Sequence, residues 1–409
     1  MIRKRVRSLK LREALWLLVV AGVVIALSEV PLTAESSTDA QAAAKVQIPR
    51  FKIDSTWPKP LPNGWMLGWV GGLVVDPNDH VWIVHVGSQL RENEKKGGTT
   101  DPPTTLCCKP APPVIEFDQE GNVVQAWGGP GAGYDWPSTE HGLFIDHERN
   151  VWITSSHKFD ADGNISGYGG QVLKFTRDGE FLLQIGMESS GKGSNDTSSL
   201  GGPAGIAVDP ETNEVFIADG YRNRRVIVFD ATTGAYKRHW GGYGEKPDDG
   251  LGALIPLAAD SQFTYDPDKP LPRQMSGVHC LSLSTDGLLY VCDRASNRIQ
   301  VFERDGTFVR EVQIEPRLGL EWYGTTHDIA FSQDPAQQFL YVADGANEKI
   351  WILDRKDLRV LDSFGHGGHS AGAFITVHVL GVDSAGNLFA GESTEGKRVQ
   401  RFLYQGLTR

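Results

Sequence analysis

A hairpin-sized unit recurs six times along the chain, and that recurrence constrains the fold more than any other feature. The stretch "GVHCLSLSTDGLLYVCDRASNRIQVF", residues 277–302, alternates in strand fashion, turns at Thr-Asp-Gly and continues as strand. Clear copies are "GPAGIAVDPETNEVFIADGYRNRRVIVFD" (202–230) and "TTHDIAFSQDPAQQFLYVADGANEKIWILD" (325–354). Residues 376–402, 139–156 and, most diverged, 68–87 repeat the pattern. A third strand such as "VIVFD" follows the hairpins, and in most copies a fourth ends near Trp-Gly or Phe-Gly. Four strands per unit, at spacings of roughly 45–75 residues, predict an all-β chain folded as a six-bladed β-propeller. The last copy lacks a fourth strand. The extended segment 46–53 is therefore expected to complete blade six and close the ring. Residues 45–409 form one domain in this reading, because a propeller cut into halves would expose sheet edges.

The ends and the charge narrow the setting. Six basic residues (Arg3, Lys4, Arg5, Arg7, Lys10, Arg12) precede the apolar run "ALWLLVVAGVVIAL" at 14–27. A basic start and a short apolar core are the marks of an export signal, and the run is short of the ~20 residues a spanning helix needs. Residues 1–44 are thus expected to be a signal peptide, or an N-terminal anchor, with its linker. A periplasmic or secreted protein follows from that. The net charge of −11 becomes −16 once the +5 of residues 1–13 is removed. So acidic a body argues against nucleic acid or an anionic membrane as partner. A small-molecule or peptide substrate is the partner expected, on the resemblance described below. Cys280 and Cys292 flank one turn symmetrically and should face each other, as a bridge or as two thiols. Adjacent Cys107 and Cys108 are expected to be free or intermolecular.

Superposing the six units exposes a column of residues, Gly71, His141, Ala204, His279, His327 and His378, each at the start of a first strand. First strands are innermost in a propeller, so the column faces the central channel. Blades two, four and six lie about 120° apart, which lets His141, His279 and His378 converge. Three neutral imidazoles with an open fourth position suit a catalytic Zn²⁺. His327 is a fourth ligand, which would favour iron or copper, or a group that contacts substrate. Long insertions at 87–113, 157–170 and 243–276 are expected on the same face, where they would wall a site.

The D-x-x-G-x-[hydrophobic]-[aromatic]-[hydrophobic]-x-D pattern of most copies resembles the NHL family of six-bladed propellers, over about residues 60–405. Within it, the alternating histidines resemble peptidyl-α-hydroxyglycine α-amidating lyase. That resemblance implies zinc on His141, His279 and His378, and a catalytic tyrosine at Tyr221 in "DGYRNRRV". It also implies a structural Ca²⁺, for which no ligands are named, and cleavage of a hemiaminal into amide and glyoxylate. The segment "CDRASNRIQVF" matches too. Three positions depart from the family: Val86 stands where an arginine is expected, Thr376 replaces a methionine, and His327 is added. Arg91 and Arg222 are the candidate substitutes for the arginine. Two other readings remain open at this point: a non-catalytic extracytoplasmic propeller that binds a peptide, glycan or protein, and a four-histidine iron or copper redox enzyme.

Overall fold

The computed structural model of the chain describes residues 47–98, 101–160, 165–188, 191–251, 270–318 and 323–408. The leader read in residues 1–44 lies outside the described residues. Six four-stranded antiparallel sheets follow one another, as the repeats predict. Their first strands are Trp69–Val75, Glu140–Ile145, Pro203–Asp209, Val278–Leu283, Asp328–Phe331 and Val377–Val382. Residues of all six border one central cavity, so these strands are the inner wall of the ring. No helix among the described residues is long and apolar enough to cross a membrane.

Each strand sends alternate side chains to opposite faces of its sheet, and in this ring both faces are buried. In blade one Val81 and Ile83 pack toward blade six, while Trp82 and Val84 pack toward blade two. In blade three Val215 and Ile217 face blade two, and Phe216 and Ala218 face blade four. Six apolar clusters result, one in each gap between neighbouring blades. This explains why the second strands read as unbroken apolar runs.

The repeated aspartate closes the turn between first and second strands. Asp146 Oδ1 accepts the backbone N–H groups of Glu148 and Asn150 at 3.0 and 2.8 Å, and Asp383 does the same for Ala385 and Asn387. The glycine of the motif serves a backbone turn: Gly287 has φ +83°, a region costly for any residue with a Cβ. In blades one and two the same aspartate also accepts the indole N–H of the following tryptophan, Trp82 to Asp76 at 3.2 Å and Trp152 to Asp146 at 2.9 Å.

Ring closure follows the expectation. Ile48–Asp54 pairs antiparallel with Val399–Thr408 as the outer strand of blade six. Phe51 stacks on Phe364 of blade five and meets Tyr404, and Arg401 pairs with Asp54 at 2.6 Å. Both cysteine pairs are bridged. Cys280–Cys292 spans the blade-four hairpin, on the side that packs against blade five. Cys107–Cys108 is also a bridge, with Cα atoms 3.1 Å apart, in place of the free or intermolecular thiols expected.

Candidate metal centre

The histidine column sits at the upper end of the first strands, where two cavities meet. Below it the channel holds about 430 Å³, walled by first-strand backbone and small side chains. Above it opens a bowl of about 660 Å³. Gly71 belongs to the column because a Cβ there would lie 2.5 Å from the Glu140 carbonyl oxygen and 2.9 Å from the Cα of His141. Blades one and two are too close at this level for any side chain.

Three of the four column histidines converge. One ring nitrogen from each of His141, His279 and His378 lies within 4.8 Å of the others, with all three residues buried. Ring centroids are 4.8, 4.9 and 5.0 Å apart, near mutually perpendicular. His327 stands beside this group, with centroids 5.6 Å from His279 and 5.9 Å from His378, and is not part of the convergent set.

Hydrogen bonds fix the tautomers of two of the three. His279 Nδ1–H donates to the His327 carbonyl at 2.6 Å, and His378 Nδ1–H donates to the Val70 carbonyl at 3.0 Å. In each case a blade's imidazole leans on the backbone of the next blade. The two Nε2 atoms are then both unprotonated, and they face each other at 3.3 Å. Two lone pairs in that position repel unless a cation lies between them. A proton is a poor candidate. Burial first, and then the charge of Arg294, hold the His378 pKa down to about 3 and that of His279 well below the usual imidazole range. Nitrogen ligands about 2.0–2.1 Å from a tetrahedral zinc sit about 3.3–3.4 Å apart, so the spacing fits such an ion. His141 differs. Its Nδ1 lies close to the Ala204 carbonyl but outside hydrogen-bond geometry, and that carbonyl accepts instead from Thr154 Oγ1 at 2.6 Å. Burial and the neighbouring His378 hold His141 neutral as well. Neutral imidazoles are the state a metal requires.

Tyr221 is where the sequence places it, at the end of blade three's second strand and reaching inward. Its Oη lies 2.8 Å from His141 Nε2 and 3.1 Å from His279 Nε2. Burial raises its pKa, so the phenol stays protonated at neutral pH. The Arg294 guanidinium lies 5.4 Å from the Tyr221 ring centroid and hydrogen-bonds its side chain.

A different arginine, Arg294, lines the bowl. Val86, where the resemblance expects an arginine, lines the bowl too, but Arg91 and Arg222 do not. Arg91 pairs at the surface with Glu395, and Arg222 is exposed. Arg294 comes from blade four, one residue after Asp293, within the "CDRASNR" segment. The signal was readable: Asp219-Gly220-Tyr221 and Asp293-Arg294 end equivalent strands, and residues just after that aspartate open onto the bowl. Two further lining residues were missed. Glu140, buried beside the Trp136 indole N–H at 2.6 Å, has its pKa raised to about 7 by desolvation. His157, its ring 4.2 Å from that of Tyr221, belongs to the hairpin His157–Phe159 and Ile165–Tyr168. That hairpin is the expected 157–170 insertion, and of the three insertions it alone contributes described lining residues. His85, next to Val86, is spent elsewhere: its Nδ1 accepts from Gly68 N–H and its Nε2 donates to the Pro112 carbonyl, both at 3.1 Å.

Comparison with known proteins agrees with both parts of the resemblance read from the sequence. Residues 275–302 match the NHL repeat. A Xenopus laevis "Peptidyl-glycine alpha-amidating monooxygenase B" is 26% identical over 323 residues, covering 76% of this chain and 31% of that protein. The chain therefore matches less than a third of that relative's length. Drosophila melanogaster "Peptidyl-alpha-hydroxyglycine alpha-amidating lyase 1" is 22% identical over 384 residues, covering 88% of this chain and 61% of that one. Among solved structures, a Bacteroides thetaiotaomicron protein of unknown function superposes with TM-score 0.51 at 13% identity, over 88% of this chain and 77% of that one. At that identity it speaks for the fold alone.

Proposed function

We propose that the protein is an exported, metal-dependent lyase of the amidating-lyase type, with zinc held by His141, His279 and His378. One observation carries the reading: two unprotonated Nε2 atoms 3.3 Å apart, with the Tyr221 hydroxyl against the same group. Bound there, zinc would act as a Lewis acid toward the oxygens of an α-hydroxyglycine unit. Arg294, buried in the bowl, pairs with the carboxylate of that unit and orients it. As the C–N bond breaks, its electron pair goes to nitrogen, and the Tyr221 hydroxyl supplies the proton that nitrogen needs. The carbinol O–H loses a proton as its oxygen becomes the carbonyl of the product, and that proton restores the phenol. Amide and glyoxylate leave, with no net change in protons. His157 and the rest of its hairpin keep bulk water from the reacting atoms.

The test has two stages. Metal analysis of the purified protein should find about one zinc per chain, lost in His141→Ala. Incubation with an α-hydroxyglycine peptide should then release glyoxylate, and Tyr221→Phe should keep the zinc while turnover falls about 100-fold. A protein without stoichiometric metal would leave the non-catalytic propeller as the better reading. Iron or copper in place of zinc would instead favour the redox reading.

A further inference from the structure

His327 is the histidine that the metal reading does not use, and its surroundings are specific. Its Nδ1 accepts the Gly345 backbone N–H at 3.2 Å. With Nδ1 accepting, the ring carries its proton on Nε2. That Nε2–H is itself buried and has no hydrogen-bond partner among the described residues. An unpaired buried donor costs stability, of order 1–3 kcal/mol. The ring lines both the bowl and the lower channel, at the level of the three converging imidazoles. Gly345 is shaped to it: a Cβ at that position would lie 2.8 Å from His327 Cε1 and 3.0 Å from Nδ1. A backbone donor sets the tautomer, a glycine makes room for the ring, and the remaining donor is left for something that enters from outside.

We propose that His327 is a substrate-contacting hydrogen-bond donor, whose Nε2–H binds an oxygen of the ligand seated over His141, His279 and His378. The inference rests on the metal reading above and adds a residue that the resemblance does not supply. Lysine or arginine at this place would put a fixed positive charge against a bound cation. A neutral imidazole donates without that repulsion, and with its Nδ1 already committed it offers the metal no second nitrogen.

Cobalt(II) and glycolate, a small α-hydroxy acid, test this without turnover. Cobalt(II)-loaded wild type should show a visible spectrum that shifts on glycolate binding. His327→Ala should bind cobalt(II) with unchanged stoichiometry and affinity, while the glycolate dissociation constant rises about tenfold. His327→Gln, which keeps an N–H donor, should recover most of that loss, and His327→Phe should not. Gly345→Ala, which displaces the ring, should behave like His327→Ala. Unchanged glycolate binding in His327→Ala would overturn the proposal and leave the metal reading standing. Weakened cobalt(II) binding in that variant would make His327 a ligand and overturn it too. Failure of the wild type to bind cobalt(II) would remove both readings together.

Discussion

Two places among the described residues bring three histidine or acidic side chains within 4.8 Å: the channel group, and Asp76 with His80 and Glu116 at the foot of blade one. By distance alone they are equivalent. Chemically they are opposites. Glu116 accepts from His80 Nδ1 at 2.6 Å, from Gln125 at 2.7 Å and from the Arg177 guanidinium, while Asp76 accepts from two backbone N–H groups and the Trp82 indole, with Arg149 3.8 Å away. Its cations are already built in. In the channel the ring nitrogens that face one another carry lone pairs with no proton between them, and the nearby charge, Arg294, is positive. A metal site is distinguished by uncommitted lone pairs, not by crowding of donors.

That contrast can be broken most directly by metal stoichiometry. His279→Ala or His378→Ala should weaken zinc binding by more than about 100-fold, because the metal loses one of three ligands. His80→Ala should leave it unchanged when both are measured by competition with a chelator. Equal losses at the two places would end the distinction. A second effect, comparable in size, concerns pH. His85, with both nitrogens engaged, has its pKa lowered to about 4 by burial. Between pH 6.5 and 4 the unfolded chain binds this proton and the folded chain does not, so stability falls as pH falls through that window and levels off below it. Its share reaches about 3 kcal/mol. Urea unfolding of metal-free protein at pH 7 and 4.5 should therefore show a shallower acid loss in His85→Asn than in wild type. Parallel curves would show that His85 does not titrate this way. Smallest is the expected cost of Arg177→Ala, about 2 kcal/mol, because buried Glu116 loses its guanidinium partner, which was itself 32% exposed. The same variant should leave zinc binding untouched.

Most of the fold was legible because a repeat states its own architecture. The Asp-x-x-Gly turns, the apolar second strands and the unpaired segment at 46–53 each carry their reason in a single sequence window. The channel histidines were legible for the same cause, since superposed repeats place them in one column. What the column could not show was distance. His327 shares the register of His279 and His378, yet the Gly345 N–H, donating to Nδ1, draws its ring aside. Arg294 was legible only through the equivalence of Asp293 with Asp219 at their strand ends, because its neighbours in space are on blades two and three. The adjacent bridge Cys107–Cys108 had no signal beyond its two residues.

The leaning of each imidazole on the next blade has a consequence for the whole ring. Because His279 and His378 take their aim from carbonyls across a blade gap, the span between their ring nitrogens is a gauge of the channel's circumference. Ile48–Asp54, at the far rim of blade six, touches none of these atoms, yet by joining the chain's two ends it sets that circumference. Fraying of this seam would open the jaws at the hub, and an ion gripped at the hub would in turn hold the seam shut. Rim and hub should therefore loosen together, as parts of one clamp.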